Sequence, residues 1–385
     1  MRFLLCYSYK YYSAYQLESQ KIHISYTYYS LNQKFEYICN MMRTNILNQF
    51  NTKVYCLVIS MLLLSVSCVT PEQQTKDIQP EPSQLQAQQA PDDTTARLQW
   101  TQPQGNTVGI AITSDPHFAS KTSNSSASTN ILRLCETWFQ QNVIQGLIIL
   151  GDYVDWGGNR KAWGKANSII KNTAPNLPIF GLAGNHDIYG NGLANWLTYS
   201  MKPHNIASQQ TPYWEIQIQD IHFLGLYLPW GYADFNAKQK LWLQQTLSNI
   251  PDNHFIVILT HSFFYASGYY DFWSGGAWYD NRGNITHIAP LFKERADLVI
   301  SGHNHYMEWI EQDGINWAIV GAMGGKPDPE PTYITQGSKF FQRNVFGLLL
   351  LQRTHEGLRC SFIDEHGATL YSTTITKQVH SNNTN

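Results

Sequence analysis

The sequence predicts an α/β protein, a two-layer β-sandwich flanked by helices within one domain. Three observations predict it. From Thr107 onward, apolar runs of strand length alternate with amphipathic segments of helix length, the pattern of β-α-β units. The C-terminal part is instead a succession of strand-like runs separated by turns. Polar residues collect just past the ends of the strand-like runs, the edge where open α/β sheets bind ligands.

Taken in order, "TVGIAITS" reads as a strand, "ASTNILRLCETWFQQN" as an amphipathic helix and "GLIILGD" as a buried strand. "RKAWGKANSIIKN" follows as a second helix and "PIFGLAGNHD" as a third strand. "TPYWEIQIQ" and "IHFLGLYL" are expected to pair, because each is bounded by turn residues and has the β-rich composition of a strand. "AKQKLWLQQTLSN" is helical, and "HFIVILTH" and "ADLVISGHNH" are buried strands. Four more runs, "NWAIVGAMGG", "VFGLLLLQRT", "GLRCSFIDEHG" and "TLYSTTITK", complete the sheets. No internal repeat is visible.

The composition limits the partners. The chain has 385 residues, 43% of them hydrophobic and only 14% charged, with a formal net charge of −2. That is enough apolar material for a sizeable core, and it lacks the basic stripe of a tight nucleic-acid binder. Of six cysteines, Cys6, Cys39, Cys56 and Cys68 precede the expected domain. Cys135 and Cys360 lie inside it and read as two buried thiols rather than a disulfide framework.

The first part of the chain reads as an address. Residues 1–41, crowded with tyrosine, are taken as an upstream extension before a start at Met41 or Met42 and are left out of the fold argument. Residues 42–68 read as an export signal, in which Arg43 and Lys53 lead into "VYCLVISMLLLSV", thirteen residues without a charge. That run is short for a membrane span. With "SCVTPEQQ" after it, the segment resembles a bacterial lipoprotein signal, which implies a lipid on Cys68. Ser65 stands where such signals usually carry leucine, with Leu64 one place further back, so ordinary signal cleavage is the alternative. The expected location is the periplasm, or a membrane reached through the lipid. Residues 69–106, rich in Gln, Pro, Asp, Glu and Thr, read as a flexible tether; the folded domain is expected over 107–378, with a tail at 379–385.

Five short motifs carry the chemistry. "SDPHF" offers Asp115 and His117, two apart and therefore on one side of an extended chain. "LGDYVDWG" offers Asp152 directly after a glycine that permits close backbone approach, with Asp155 on the turn. "AGNHD" supplies Asn185, His186 and Asp187, "ILTHS" supplies His261, and "SGHNH" supplies His303 and His305. Asp115, Asp152, Asn185, His117, His261, His303 and His305 make two carboxylates, one amide and four imidazoles, too many donors for one ion. Two metal ions sharing a carboxylate are the economical solution, and hard oxygen with imidazole and no thiolate suits Mn, Fe or Zn.

The ordered set "DPH", "GDYVD", "GNHD", "TH" and "GHNH" resembles the calcineurin-like metallophosphoesterase family over residues 107–375. The resemblance implies a four-layer α/β/β/α fold. It also implies one ion held by Asp115, His117, Asp152 and His305 and another by Asp152, Asn185, His261 and His303, with Asp152 as the bridge. His186 corresponds to the family's histidine that contacts phosphate and helps the leaving group, with Asp187 orienting it. Asp155 is expected to steady a ligand residue. The layout is similar to purple acid phosphatases, but His117 stands where those enzymes have glycine, Asp155 where they have a metal-binding tyrosine, and Tyr269 and Tyr270 near a place where they offer substrate a histidine.

The implied activity is hydrolysis of a phosphomonoester by water activated between two cations about 3.5–4 Å apart. The alternatives are a phosphodiesterase acting on cyclic nucleotides or phospholipid-like diesters, and a non-catalytic binding protein on the same scaffold. The loop "SFFYASGYYDFWSGGAWYDNRGN" offers Tyr269, Tyr270 and Trp273 as a lip that stacks an aryl group or nucleobase, or else as ordinary aromatic packing.

Overall fold

The apolar runs become two large mixed sheets. The structure, a computed structural model, describes residues 97–98, 108–201, 211–271 and 276–377, all within the unit Gln88–Asn385. The expected signal, Cys68 and the tail 379–385 lie outside the described residues.

The strands and helices follow in chain order: β1 (Arg97–Leu98), β2 (Val108–Thr113), α1 (Ser125–Gln140), β3 (Gly146–Ile149), α2 (Arg160–Thr173), β4 (Ile179–Gly181), α3 (Asn185–Ile188), α4 (Leu193–Trp196), β5 (Trp214–Ile218) and β6 (Ile221–Gly225). They continue as α5 (Ala237–Asn249), β7 (Phe255–Thr260), β8 (Tyr270–Asp271), β9 (Gly276–Ala277), α6 (Arg282–His287), β10 (Leu298–Ser301), β11 (Met307–Gln312), β12 (Ile315–Val320), β13 (Ser338–Gln342), β14 (Gly347–Thr354), β15 (Gly357–Asp364) and β16 (Thr369–Ile375). One sheet has the order β1-β5-β6-β7-β10-β12-β11-β13 and the other β16-β15-β14-β2-β3-β4, and β8 and β9 form a small ribbon. The expected pair β5 and β6 is antiparallel.

Strands β2, β3 and β4 run parallel to one another, as do β6, β7, β10 and β12. These central strands are apolar almost throughout because both faces are covered. Ile110, Ile148, Val257 and Ile300 belong to one apolar cluster that also takes Leu132 of α1 and Trp163 of α2. The alternate residues Ile258 and Val299 join Trp242 and Leu243 of α5 in a second cluster. Period-two alternation in β7 and β10 therefore gives each face of the larger sheet its own core, with helices flanking the pair of sheets.

Helices α1, α2, α5 and α6 each start on an asparagine, Asn124, Asn159, Asn236 and Asn281, whose side chain accepts from a backbone N–H of the first turn. Strands β11 and β13 sit at the far edge of the larger sheet, and neither was legible as a separate run. Arg97–Leu98, inside the segment read as a tether, pairs parallel with Glu215 and Ile216 of β5. Cys135 and Cys360 are free, buried thiols. Among the described residues no helix is long and apolar enough to cross a membrane.

A buried carboxylate of α1 sets the approach to β4. Glu136 accepts from the backbone N–H of Asn176 (3.2 Å) and Leu177 (2.9 Å) and from the Asn176 side chain (2.8 Å). Glu136→Ala strands those donors and is expected to cost about 2–4 kcal/mol; denaturant unfolding should show a lower midpoint at unchanged slope, with Glu136→Gln less affected.

Candidate metal centre

The polar residues lie on loops that leave the C-terminal ends of parallel strands in both sheets. Asp115 and His117 follow β2, Asp152 follows β3, and Asn185 and His186 open α3 just beyond β4. From the other sheet, His261 follows β7, and His303 and His305 follow β10. Where the sheets meet at this end, hydrogen bonds tie them together: the His303 N–H donates to Asp115 Oδ2 (2.9 Å), and His261 Nδ1 donates to the Leu150 carbonyl (2.9 Å).

The backbone here is bent in an uncommon way. Asp115, His117, Asp152 and His303 have φ of 60°, 44°, 55° and 73°, left-handed values that Asp and His tolerate better than most residues. The extended "DPH" stretch expected from the sequence is therefore a turn. Its N–H groups pair with the neighbouring loop, Asp115 with the Gly151 carbonyl (3.1 Å) and His117 with that of Asp152 (3.0 Å), and that pairing aims both side chains inward. Gly151 has φ of 117°, and a Cβ there would stand 2.6 Å from His261 Nδ1.

Each donor is oriented by its other end. His261 Nδ1 is occupied by Leu150, His305 Nδ1 by the Lys326 carbonyl (2.7 Å) and His117 Nδ1 by Asp155 Oδ1 (2.8 Å), which leaves the three Nε2 atoms for a ligand role. Asp152 Oδ1 accepts from the His186 N–H (2.8 Å), so Oδ2 is turned toward the imidazoles. That oxygen lies 3.7 Å from His117 Nε2 and 3.5 Å from His261 Nε2. On one side, Asp115 Oδ1 and His117 Nε2 are buried with no hydrogen-bond partner, and His305 Nε2 is 3.4 Å from Asp115 Oδ1. On the other, Asn185 Oδ1 lies 2.9 Å from His261 Nε2 and 2.8 Å from His303 Nδ1.

Possible ligand atoms thus gather in two groups of spacing suited to a cation, Asp115, His117 and His305 in one and Asp152, His261 and His303 in the other. Burial would raise both aspartates, but His305 and His261 hold Asp115 below the ordinary carboxylate range, and His261 and His117 do the same for Asp152. In return, and against the opposing effect of burial, Asp152 lifts His261 to about 9 and Asp115 lifts His305 to about 10. Burial and the charge on His261 push His303 down to about 3. Protons on His261 and His305 supply the positive charge that the two carboxylates require, and a cation would displace them. The oxygen and imidazole donors, without thiolate, and the orphaned Asp115 Oδ1 and His117 Nε2 fit two hard or borderline ions.

Two expectations change. Asp187 does not orient His186: its carboxylate is buried and accepts from the backbone N–H of Gly184 (3.0 Å) and Val154 (3.3 Å), and burial pushes its pKa well up. The partner of His186 is the Asp155 carbonyl, 2.9 Å from Nδ1, so Asp155 steadies His117 through its side chain and His186 through its backbone. The lip also differs in detail. Tyr269 is half-buried, Tyr270 is exposed at the start of β8, and Trp273 lies outside the described residues. The indoles against the site are Trp278, stacked on His303 at 4.9 Å, and Trp230, edge-on to it at 6.1 Å. Asp328, which accepts from the His305 N–H (2.9 Å), and Asn304, which donates to the Trp278 carbonyl (3.2 Å), are further supports. Asn304 was readable as the residue between the two histidines of "GHNH"; Asp328 has no local signature.

Residues 108–307 match the family model described as calcineurin-like phosphoesterase. No curated protein sequence matches the chain. Among solved structures, the purple acid phosphatase PPD1 from yellow lupin (Lupinus luteus) seeds is similar with a TM-score of 0.59 at 16% identity, over 72% of this chain and 55% of that one. This chain therefore spans little more than half of the lupin protein. GAP50, the anchor in the inner membrane complex of Plasmodium, gives 0.52 at 19% identity over 71% of this chain and 90% of that one. A dimetal phosphatase from Danio rerio gives 0.50 at 14% identity over 70% and 99%.

Since Asp155 fixes the His117 ring, Asp155→Ala is expected to weaken binding of one of two ions about 10- to 100-fold. Calorimetric titration of the metal-free protein with Mn or Zn should then show one weakened and one retained binding step.

Proposed function

Because the chain belongs to the calcineurin-like phosphoesterase family, we propose that it is an exported, metal-dependent hydrolase of phosphomonoesters. The observation that carries this reading is Asp152 Oδ2, directed between His117 Nε2 at 3.7 Å and His261 Nε2 at 3.5 Å. One carboxylate oxygen faces both donor groups, as a shared ligand would. In this reading Asp115, His117, Asp152 and His305 hold one ion and Asp152, Asn185, His261 and His303 the other. Mn, Fe or Zn, when bound, supplies an acidified water and positive charge for the phosphoryl oxygens.

The remaining work falls to the chain's own groups. His186 is half-buried, with Nδ1 engaged by the Asp155 carbonyl, so its Nε2 is the end free to meet substrate. A proton held at that atom passes to the departing oxygen, which is a poor leaving group without it. The His117 ring, edge-on to His186 at 4.9 Å, limits how far that imidazole turns. Asp187 serves the same end indirectly, by closing the backbone turn that carries Asn185 and His186.

Export is supported by the charge-free run at 54–66 behind Arg43 and Lys53, and attachment through a lipid by Cys68 two residues after it. Labelling with an alkyne fatty acid in a bacterial host should mark the wild-type chain and leave Cys68→Ser unmarked; label on both would sink the anchor.

The enzymatic reading is tested by stripping the protein of metal and reloading it with Mn, Fe or Zn before assaying an aryl phosphate monoester and its diester. Reloading should restore hydrolysis, faster on the monoester. His186→Ala is expected to lower kcat about 10²- to 10⁴-fold, and Asp152→Asn to abolish both turnover and one binding step. Binding of two ions without turnover of either ester would overturn the proposal in favour of a binding role, and faster diester hydrolysis would move it to the diesterase branch.

A further inference from the structure

A row of aromatic rings leads outward from His186. Tyr189 meets His186 edge-on with centroids 5.1 Å apart, Trp156 stacks on Tyr189 at 5.3 Å and 27°, and Trp230 leans on Tyr189 at 5.9 Å. Trp156 is 54% exposed and Trp230 43%. Two indoles are thus left about half in water beside the site.

Trp156 is held firmly. The Gly157 N–H donates to the His186 carbonyl (2.9 Å) and the Gly158 N–H to that of Tyr189 (2.8 Å), so the Trp156 loop is stapled to the His186 segment. The Gly157 carbonyl in turn accepts from Trp163 Nε1 and Asn195 Nδ2, both at 2.8 Å. Gly190 has φ of 62°, and a Cβ there would stand 2.5 Å from Trp156 Nε1; the missing side chain is what lets the indole rest against that backbone. An exposed ring so restrained loses little further freedom when another ring is laid on it.

We propose that Trp156, Tyr189 and Trp230 form a stacking platform for a planar aromatic leaving group, so that the substrates are aryl or nucleoside phosphoesters rather than those of aliphatic alcohols. The proposal rests on the phosphoesterase reading above. In-line displacement sends the leaving group away from the incoming water and toward the group that protonates it, which is His186, and the platform begins at that ring. A flat π-system gains stacking there, whereas a polyol would have to give up hydration for indole faces that offer it little.

The test uses the full chain reloaded with metal, as wild type, Trp156→Ala, Trp230→Ala and Trp156→Phe. The quantity read is the ratio of kcat/KM for 1-naphthyl phosphate, and separately for adenosine 5′-monophosphate, to that for glycerol phosphate. Each alanine variant is expected to lower the ratio about tenfold through KM for the aromatic ester, and Trp156→Phe to recover most of it. A fall with naphthyl phosphate alone assigns the platform to aryl esters, and a fall with both to aromatic groups generally. An unchanged ratio in both alanine variants overturns it. Calorimetry with benzylphosphonate and propylphosphonate, which contain no ester to cleave, separates failure of the platform from failure of the hydrolase reading. Should the wild type turn over no ester, benzylphosphonate binding about tenfold tighter than propylphosphonate, with the advantage lost in Trp156→Ala, still sustains the platform, and equal binding overturns it.

Discussion

The geometry of this site depends on the carboxylate of Asp152. One of its oxygens is committed to the His186 backbone N–H and the other is directed between two imidazoles from different sheets. A buried charge of this kind is tolerated only when it is well paired. Its partners come from β2 and β7, so satisfying it requires the smaller and larger sheets to meet at the ends of those strands. The apolar clusters bring the sheets together; Asp152 and Asp115 dictate which ends coincide.

The same requirement accounts for the backbone. Loops that leave neighbouring parallel strands normally diverge, yet here they must return donors to a space only a few ångströms wide. Left-handed turns at Asp115, His117, Asp152 and His303 achieve this, each at a cost of about 1–3 kcal/mol that surrounding bonds must offset. Those bonds are present: the N–H groups of Asp115 and His117 pair with the Gly151 and Asp152 carbonyls, and that of His303 with Asp115 Oδ2. Local strain and buried charge are thus settled by one hydrogen-bond network, which also fixes the nitrogen that each imidazole presents.

How much of this was legible in the sequence follows from where the signal lies. Strands β2, β3, β7 and β10 and helices α1 and α2 were readable because burial on both faces, or on one helical face, leaves a periodic local record. The residues that gather in the two groups, with Asn185 beside them, were readable because strand ends followed by Asp and His are local as well. Contacts between segments left no such record. Asp187 stands next to His186 in sequence, which suggested a pair, but a turn of helix sends the two side chains apart, Asp187 into the backbone behind it and His186 outward. Asp155 is thirty-one positions from His186 and still supplies its partner. Strand β11 was hidden because "MEWIEQ" is polar at its outer end, and Trp278 was hidden among many aromatics in one loop.

That last ambiguity bears on specificity. The candidate donor groups and their hydrogen bonds say nothing of the alcohol that a phosphoester would carry, because a fold and its core chemistry are shared among proteins with different substrates. Choice of substrate has to come from groups beyond the donor atoms. Around this site those groups are aromatic: Trp278 and Trp230 border His303, and Tyr189 with Trp156 borders His186. The two borders differ in kind. Trp278 is part of the support, since Asn304, between His303 and His305, bonds to its carbonyl and so couples the indole to the donor loop. Trp156 touches no donor, and the glycines around it keep it in place while leaving its surface to water. An indole held against Tyr189 and Gly190 yet more than half open to water is most simply understood through what it meets from outside.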